Sequence, residues 1–188
     1  SINDDGTGYI YEPTASPSFY SISDAGFYAN GTPKKIVFVD SYFIVSTDLD
    51  RAIISAPLDG NDWNSLDRMT AEANPDGGVA PLVIDNQLYL VGTRTIESYQ
   101  NIGGAGVPFQ RNSGFVVPKG CSAADTIINV GAVSYFVGRG QNEQPMVLMF
   151  DGNTTTKIST TAIDNKLHEL TETQLASMFS WAYTLRGN

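Results

Sequence analysis

Ile36-Val37-Phe38-Val39-Asp40-Ser41-Tyr42-Phe43-Ile44-Val45 reads as two short apolar strands joined by a polar two-residue turn. β-branched and aromatic residues fill both arms, and Asp-Ser is a pair whose side chains support a tight turn. The same shape recurs as Leu82-Val83-Ile84-Asp85-Asn86-Gln87-Leu88-Tyr89-Leu90-Val91. It recurs more loosely as Ile128-Asn129-Val130-Gly131-Ala132-Val133-Ser134-Tyr135-Phe136-Val137. Aligned on their last residues, Val45, Val91 and Val137 stand 46 residues apart, with Ser46, Gly92 and Gly138 in step.

The second half of each unit follows suit. Asp59-Gly60-Asn61 and Asp151-Gly152-Asn153 lie 92 residues apart, each after an apolar stretch (Ile53 to Leu58, Val147 to Phe150). The middle copy has the looser Gly103-Gly104-Ala105-Gly106. Each unit thus reads strand, tight turn, strand, loop, strand, turn, strand. Four short strands in about 46 residues is the size of a propeller blade. The expected fold is all-β: one domain over residues 1–188, a β-propeller-like repeat of four-stranded blades, with the inner strands Ile36–Val39, Leu82–Ile84 and Ile128–Val130 in equivalent positions.

The ends extend the pattern. Gly8-Tyr9-Ile10-Tyr11-Glu12 and Phe19-Tyr20-Ser21-Ile22 resemble outer strands of a preceding blade. Ser180-Trp181-Ala182-Tyr183-Thr184-Leu185 reads as a fresh inner strand, ending at the turn Arg186-Gly187-Asn188. Two half-units at the ends imply a partial propeller cut from a longer chain, because unpaired strand edges invite aggregation. Residues 164–179 break the β pattern. Leu167, Leu170, Leu175, Met178 and Phe179 alternate with helix formers, and Thr171 with Gln174 has capping-box spacing, so a short helical insertion is expected there.

Composition excludes several classes. Twenty acidic against eleven basic residues give a net charge of −9, which argues against gripping nucleic-acid phosphates. Lys34-Lys35 is the one adjacent basic pair. No apolar run approaches the roughly 20 residues of a membrane span. Cys121 is a lone cysteine, which precludes an internal disulfide and a cysteine zinc cluster; it reads as a small apolar filler.

Candidate sites resolve mostly into structural features. Asp59-Gly60-Asn61-Asp62-Trp63 approaches the Asp-box of sialidase-like propellers but has the wrong spacing, and Trp63 is expected to be buried across a blade boundary. His168 is the single histidine, and no Gly-x-Ser-x-Gly elbow accompanies it. Asp48, Asp50 and Glu97 are carboxylates near loops or strand ends, where solvated charge is the ordinary state. Asn3-Asp4-Asp5-Gly6 and Thr47-Asp48-Leu49-Asp50 lack the ligand spacing of a calcium loop. Gly103-Gly104-Ala105-Gly106 precedes Val107-Pro108 instead of the helix a phosphate cradle needs. The sequence therefore assigns no catalytic, cofactor-binding or metal-ligating residue, and a non-enzymatic protein without cofactors is expected.

The series Ile53-Ile54-Ser55, Leu58-Asp59, Asp62-Trp63-Asn64-Ser65-Leu66-Asp67, Glu72-Ala73-Asn74-Pro75-Asp76-Gly77, Leu88-Tyr89-Leu90-Val91-Gly92 and Thr95-Ile96-Glu97-Ser98-Tyr99 resembles the packaged-DNA stabilisation protein of short-tailed bacteriophages. Tyr9-Ile10-Tyr11 and Gly114-Phe115-Val116-Val117-Pro118-Lys119-Gly120 also fit. The resemblance implies a structural tail-hub protein of the virion tail. Such a hub forms a homo-hexameric ring below the portal and its adaptor ring, closes the channel after DNA packaging, and attaches the tail needle and tailspikes. The alternatives are a receptor- or glycan-binding propeller and, after it, a glycoside hydrolase on the same fold.

Overall fold

The computed structural model describes residues 1–70, 77–104 and 106–183. Part of the family-like series (residues 72–76), Ala105 and the end of the expected last strand (residues 184–188) lie outside them. A hairpin of β1 (Tyr9–Tyr11) and β2 (Phe19–Ser21) comes first, followed by α1 (Ala25–Tyr28). Two four-stranded antiparallel meanders follow. One is β3 (Pro33–Val39), β4 (Tyr42–Thr47), β5 (Arg51–Ala56) and β6 (Asp59–Thr70). The other is β7 (Gly78–Ile84), β8 (Gln87–Gly92), β9 (Ile96–Asn101) and β10 (Phe109–Val117).

The third sheet has five strands: β11 (Gly120–Cys121), β12 (Ile128–Val130), β13 (Val133–Arg139), β14 (Met146–Phe150) and β15 (Thr155–Lys157). β11 and β12 both pair with β13, at opposite ends of it. The first two sheets explain why. Each carries a register shift in its first strand, between Pro33 and Ile36 and between Gly78 and Ala80. In the third sheet this irregularity has grown into an excursion containing a 3-10 turn, Ala124–Thr126, which splits one strand into two.

Hairpin geometry fixes the true repeat. Asp40-Ser41 and Asp85-Asn86 both have positive φ (48° and 74°; 48° and 61°), the conformation of a type I′ turn that matches strand twist. Asp85 lies 45 residues after Asp40, and Gly131 at the third turn lies 46 after Asp85. Val45 is therefore the counterpart of Leu90 and Phe136, not of Val91 and Val137 as strand ends alone suggest. Packing agrees. Val45, Leu90 and Phe136 each face the preceding layer, while Val91 and Val137 face the following one. A one-residue slip exchanges the two faces of a strand, and here both faces are apolar, so alternation does not expose the slip. Leu88, Tyr89, Leu90 and Val91 are all buried.

The turn between the third and fourth strands of the first sheet also differs from expectation. Ala56 pairs with Asp59, so Pro57 and Leu58 make the turn, with Leu58 at φ 59°. Asp59-Gly60 instead opens β6. In the third sheet Asp151 does organise its turn, its Oδ1 accepting from the N–H groups of Asn153 and Thr154 at 2.8 and 2.7 Å.

The sheets stack face to face. Ile44, Ala52 and Ile54 of the first meet Leu88, Leu90 and Tyr99 of the second. Tyr89, Val91 and Ile96 of the second meet Phe136, Leu148 and Phe150 of the third. The approach is close enough that a Cβ on Gly120 would fall 2.2 Å from the backbone nitrogen of Arg94.

The insertion is two helices, α2 (Thr161–His168) and α3 (Glu172–Ala176). The capping box is present: Thr171 Oγ1 accepts from Gln174 N–H, and Gln174 Oε1 accepts from Thr171 N–H. Leu167 and Leu175 cover Val137 and Val147, so the helices lie on the outer face of the third sheet. After them, Ser180–Tyr183 is not a strand. Ser180 N–H donates to Asp125 O and its hydroxyl to Thr126 O. The backbone it meets is the 3-10 turn, which offers no strand edge to extend.

Candidate functional site

Glu97 is the one fully buried charged side chain among the described residues. β9 places it opposite Leu90, on the face that packs against the first sheet. Its counterparts, Ile53 opposite Val45 and Leu148 opposite Phe136, are aliphatic. A carboxylate at this position requires compensation, since burying an unpaired charge costs several kcal/mol, on the order of the effects of breaking a buried pair. Arg111 of β10 supplies it, with Nε 2.7 Å from Glu97 Oε2. That N–H is poorly aimed, so the attraction is largely charge on charge. Tyr99 O–H lies 3.3 Å from the same oxygen and 2.9 Å from Thr70 O. The arrangement ties β9 and β10 to the end of β6. Nothing in the chain's order announces Arg111 as the partner; the cross-strand pairing of Tyr99 with Arg111 brings it there.

The other singled-out residues are held in place by neighbours. Asp48 Oδ1 accepts from Thr32 N–H at 2.7 Å, and hydrogen bonds from Thr32 hold its carboxyl below the usual range. Asp50 Oδ1 accepts from Gly78 N–H at 3.0 Å, pinning the β4–β5 loop to the start of β7. Asn3 and Asp5 both accept from Thr7 N–H. Among the described residues no group of three or more His, Cys, Asp or Glu side chains is placed to hold a metal ion. His168 is exposed at the end of α2. Cys121 is wholly buried against Phe136 and its neighbours, and burial pushes its thiol up to about 11. Gly103 and Gly104 sit in the exposed β9–β10 loop.

Trp63 is 3 % exposed. Its ring meets Phe27 edge-on at 4.9 Å and its indole N–H donates to Gly60 O. It therefore seals the first sheet against α1 and the β1–β2 hairpin. Asn30, which sequence reading passed over, anchors the same region: its Nδ2 donates to Ser65 O and its Oδ1 accepts from Arg51.

The surface is ion-paired. Lys35 bonds Asp125, Lys119 bonds Glu143, Arg139 bonds Glu172, Lys157 bonds Asp164 and Lys166 bonds Glu169. The exposed large apolar side chains include Tyr11, Phe19 and Phe38, and Phe179, Trp181 and Tyr183. A cleft of about 590 Å³ opens between the β1–β2 hairpin and the first sheet.

Stacked antiparallel meanders, each burying its face on the next, define this chain as β-propeller structure. The model of the family described as Bacteriophage P22 Gp10, beta-propeller, matches residues 1–188, and the chain belongs to that phage stabilisation family. The family supports a structural role in a bacteriophage. No curated protein shows significant similarity to this chain.

Proposed function

We propose that this chain is the propeller portion of a tail-hub subunit that closes the portal channel after DNA packaging and gives attachment to the tail needle and tailspikes. The observation that carries the reading is the match of the stabilisation family over the whole of residues 1–188. The surface chemistry supports it. The buried charge serves packing between sheets, and six of the basic side chains are engaged by carboxylates, so retention of DNA is steric and comes from ring closure. The protein works without a catalytic step or cofactor, in the virion tail, as a homo-hexameric ring contacting the portal adaptor ring. Closed symmetric rings multiply weak contacts into a firm seal.

The experiment uses the full-length reading frame. Phage assembled without it should package DNA and then lose it, becoming sensitive to nuclease, and added protein should restore protection while forming six-fold rings by electron microscopy. Full nuclease resistance in its absence would overturn the reading.

A further inference from the structure

The first sheet has two faces, and they are not equally covered. On the side of the second sheet, Val37, Val39 and Ile44 lie over Val83, Leu88 and Leu90. Leu88 is 1 % and Leu90 6 % exposed as a result. The hairpin register makes Phe38 and Phe43 of the first sheet the counterparts of Val83 and Leu88 of the second. They pair across β3 and β4 with ring centroids 4.9 Å apart. Yet Phe38 is 50 % exposed and Phe43 only half-buried. The β1–β2 hairpin and α1 cover Val45, Ile53 and Trp63 on that face; Phe43 packs only partly against this cluster and Phe38 lies outside it. The cleft lies between, with Phe43 and Ile36 on one wall and Tyr9 and Tyr11 on the other.

The other wall is a strand edge. Ser1 exchanges both backbone hydrogen bonds with Tyr9 (2.9 and 2.8 Å), on the side of β1 away from β2. Tyr11, two residues on, presents its N–H and C=O to the same side. Face parity matches this fragment to the first sheet. Ile2 opposite Gly8 corresponds to Ser46 opposite Ala52, and Ser1 opposite Tyr9 to Val45 opposite Ile53. Ile2 and Ile10 accordingly pack toward the first sheet, as Ala52 and Ile54 pack toward the second.

We propose that this cleft is a strand-docking site whose occupant is an antiparallel β-hairpin of the β3–β4 type: apolar on the face it turns to Phe38 and Phe43, closed by an Asp- or Asn-bearing tight turn, and hydrogen-bonded along its second strand to the edge at Tyr11. The turn chemistry follows from the interface already formed between the first two sheets, where Asn86 Nδ2 donates to Asp40 Oδ1 at 2.6 Å. Main-chain bonds provide the affinity of such strand addition, and alternate side-chain pockets its specificity.

The register supplies the probe. A second copy of residues Pro33–Ile44, joined directly ahead of Ser1, brings Ile44 of the copy to the position before the counterpart of Val45. This extension should raise Tm by about 4 °C or more and slow hydrogen exchange at the Tyr11 amide. An extension with Val37→Asp, Val39→Asp and Ile44→Asp in the copy should do neither. In trans, a labelled Pro33–Ile44 peptide should bind the unextended chain saturably and lose that binding to the Phe38→Asp variant, a change at a half-exposed site. Unchanged Tm and Tyr11 exchange in the extended chain, or equal protection by the charged extension, would overturn the proposal. So would sedimentation showing a dimer of the unextended chain that Phe38→Asp abolishes, since the occupant would then be a second copy.

Discussion

Arg111 and Glu97 set the cost of a single residue at the junction of the first two sheets. Removing the guanidinium with Arg111→Ala takes the ion-pair partner from a wholly buried carboxylate, so unfolding titrations should show a loss of about 3 kcal/mol. The double variant Glu97→Leu/Arg111→Met should recover most of it, because Ile53 and Leu148 show that an aliphatic side chain fits the counterpart positions. Trp63→Ala removes a ring packed on Phe27 and a hydrogen bond to Gly60, and should cost about 3–5 kcal/mol by the same measurement. Cys121 makes a pH statement. Its thiol sits at about 11 in the folded protein against 9.0 for the free group. A folded value raised above the unfolded one adds stability below pH 9 that is lost as pH rises to about 11. The stability difference between wild type and Cys121→Ala should therefore shift against wild type across that window, and the native thiol should resist Ellman's reagent at pH 8 until unfolding. The burial of Trp63 was expected from its place just past Asp59-Gly60 and is observed, although the turn itself falls at Pro57-Leu58. The burial of Glu97 was not, because a carboxylate near a strand end is ordinarily solvated and its partner lies on the next strand.

The elements divide by how local their signals are. Thr171 and Gln174 announce a helix start by spacing alone, and the reciprocal bonds are present. Thr171→Ala should cost about 1 kcal/mol of local stability, read as faster amide exchange in α3 and around Val137 with little change in global unfolding. The hairpins at Asp40-Ser41 and Asp85-Asn86 were equally legible, since type I′ turns favour these residues. Their register was not. Periodicity reveals a face only when the other face is polar, and strands buried on both sides remove that contrast. Turn residues with positive φ decide the alignment instead, at 45 and then 46 residues. Ser180–Tyr183 shows the same limit from another side. Its β-prone composition promises a strand, but the backbone it reaches is a 3-10 turn, and a strand exists only where a partner edge does.

At the scale of the whole molecule, repetition made the propeller class readable, while charge placement needed three dimensions. Lys34, Lys35, Arg111, Lys119 and Arg139 are scattered in sequence, and convergence on one face would make a basic patch despite a net charge of −9. The fold instead hands four of them to carboxylates: Lys35 to Asp125 across two sheets, Arg111 to Glu97, Lys119 to Glu143 and Arg139 to Glu172. Each pair removes counterion-releasing charge from the phosphate contacts that DNA affinity depends on. This chain should accordingly bind duplex DNA with a dissociation constant of about 10⁻⁴ M or weaker at physiological salt, as read by fluorescence anisotropy over a salt series. A shallow salt dependence is part of the same expectation, because few phosphates are neutralised. Micromolar binding that collapses on adding salt would show that the ion pairs open to grip DNA, and retention by ring closure alone would fail.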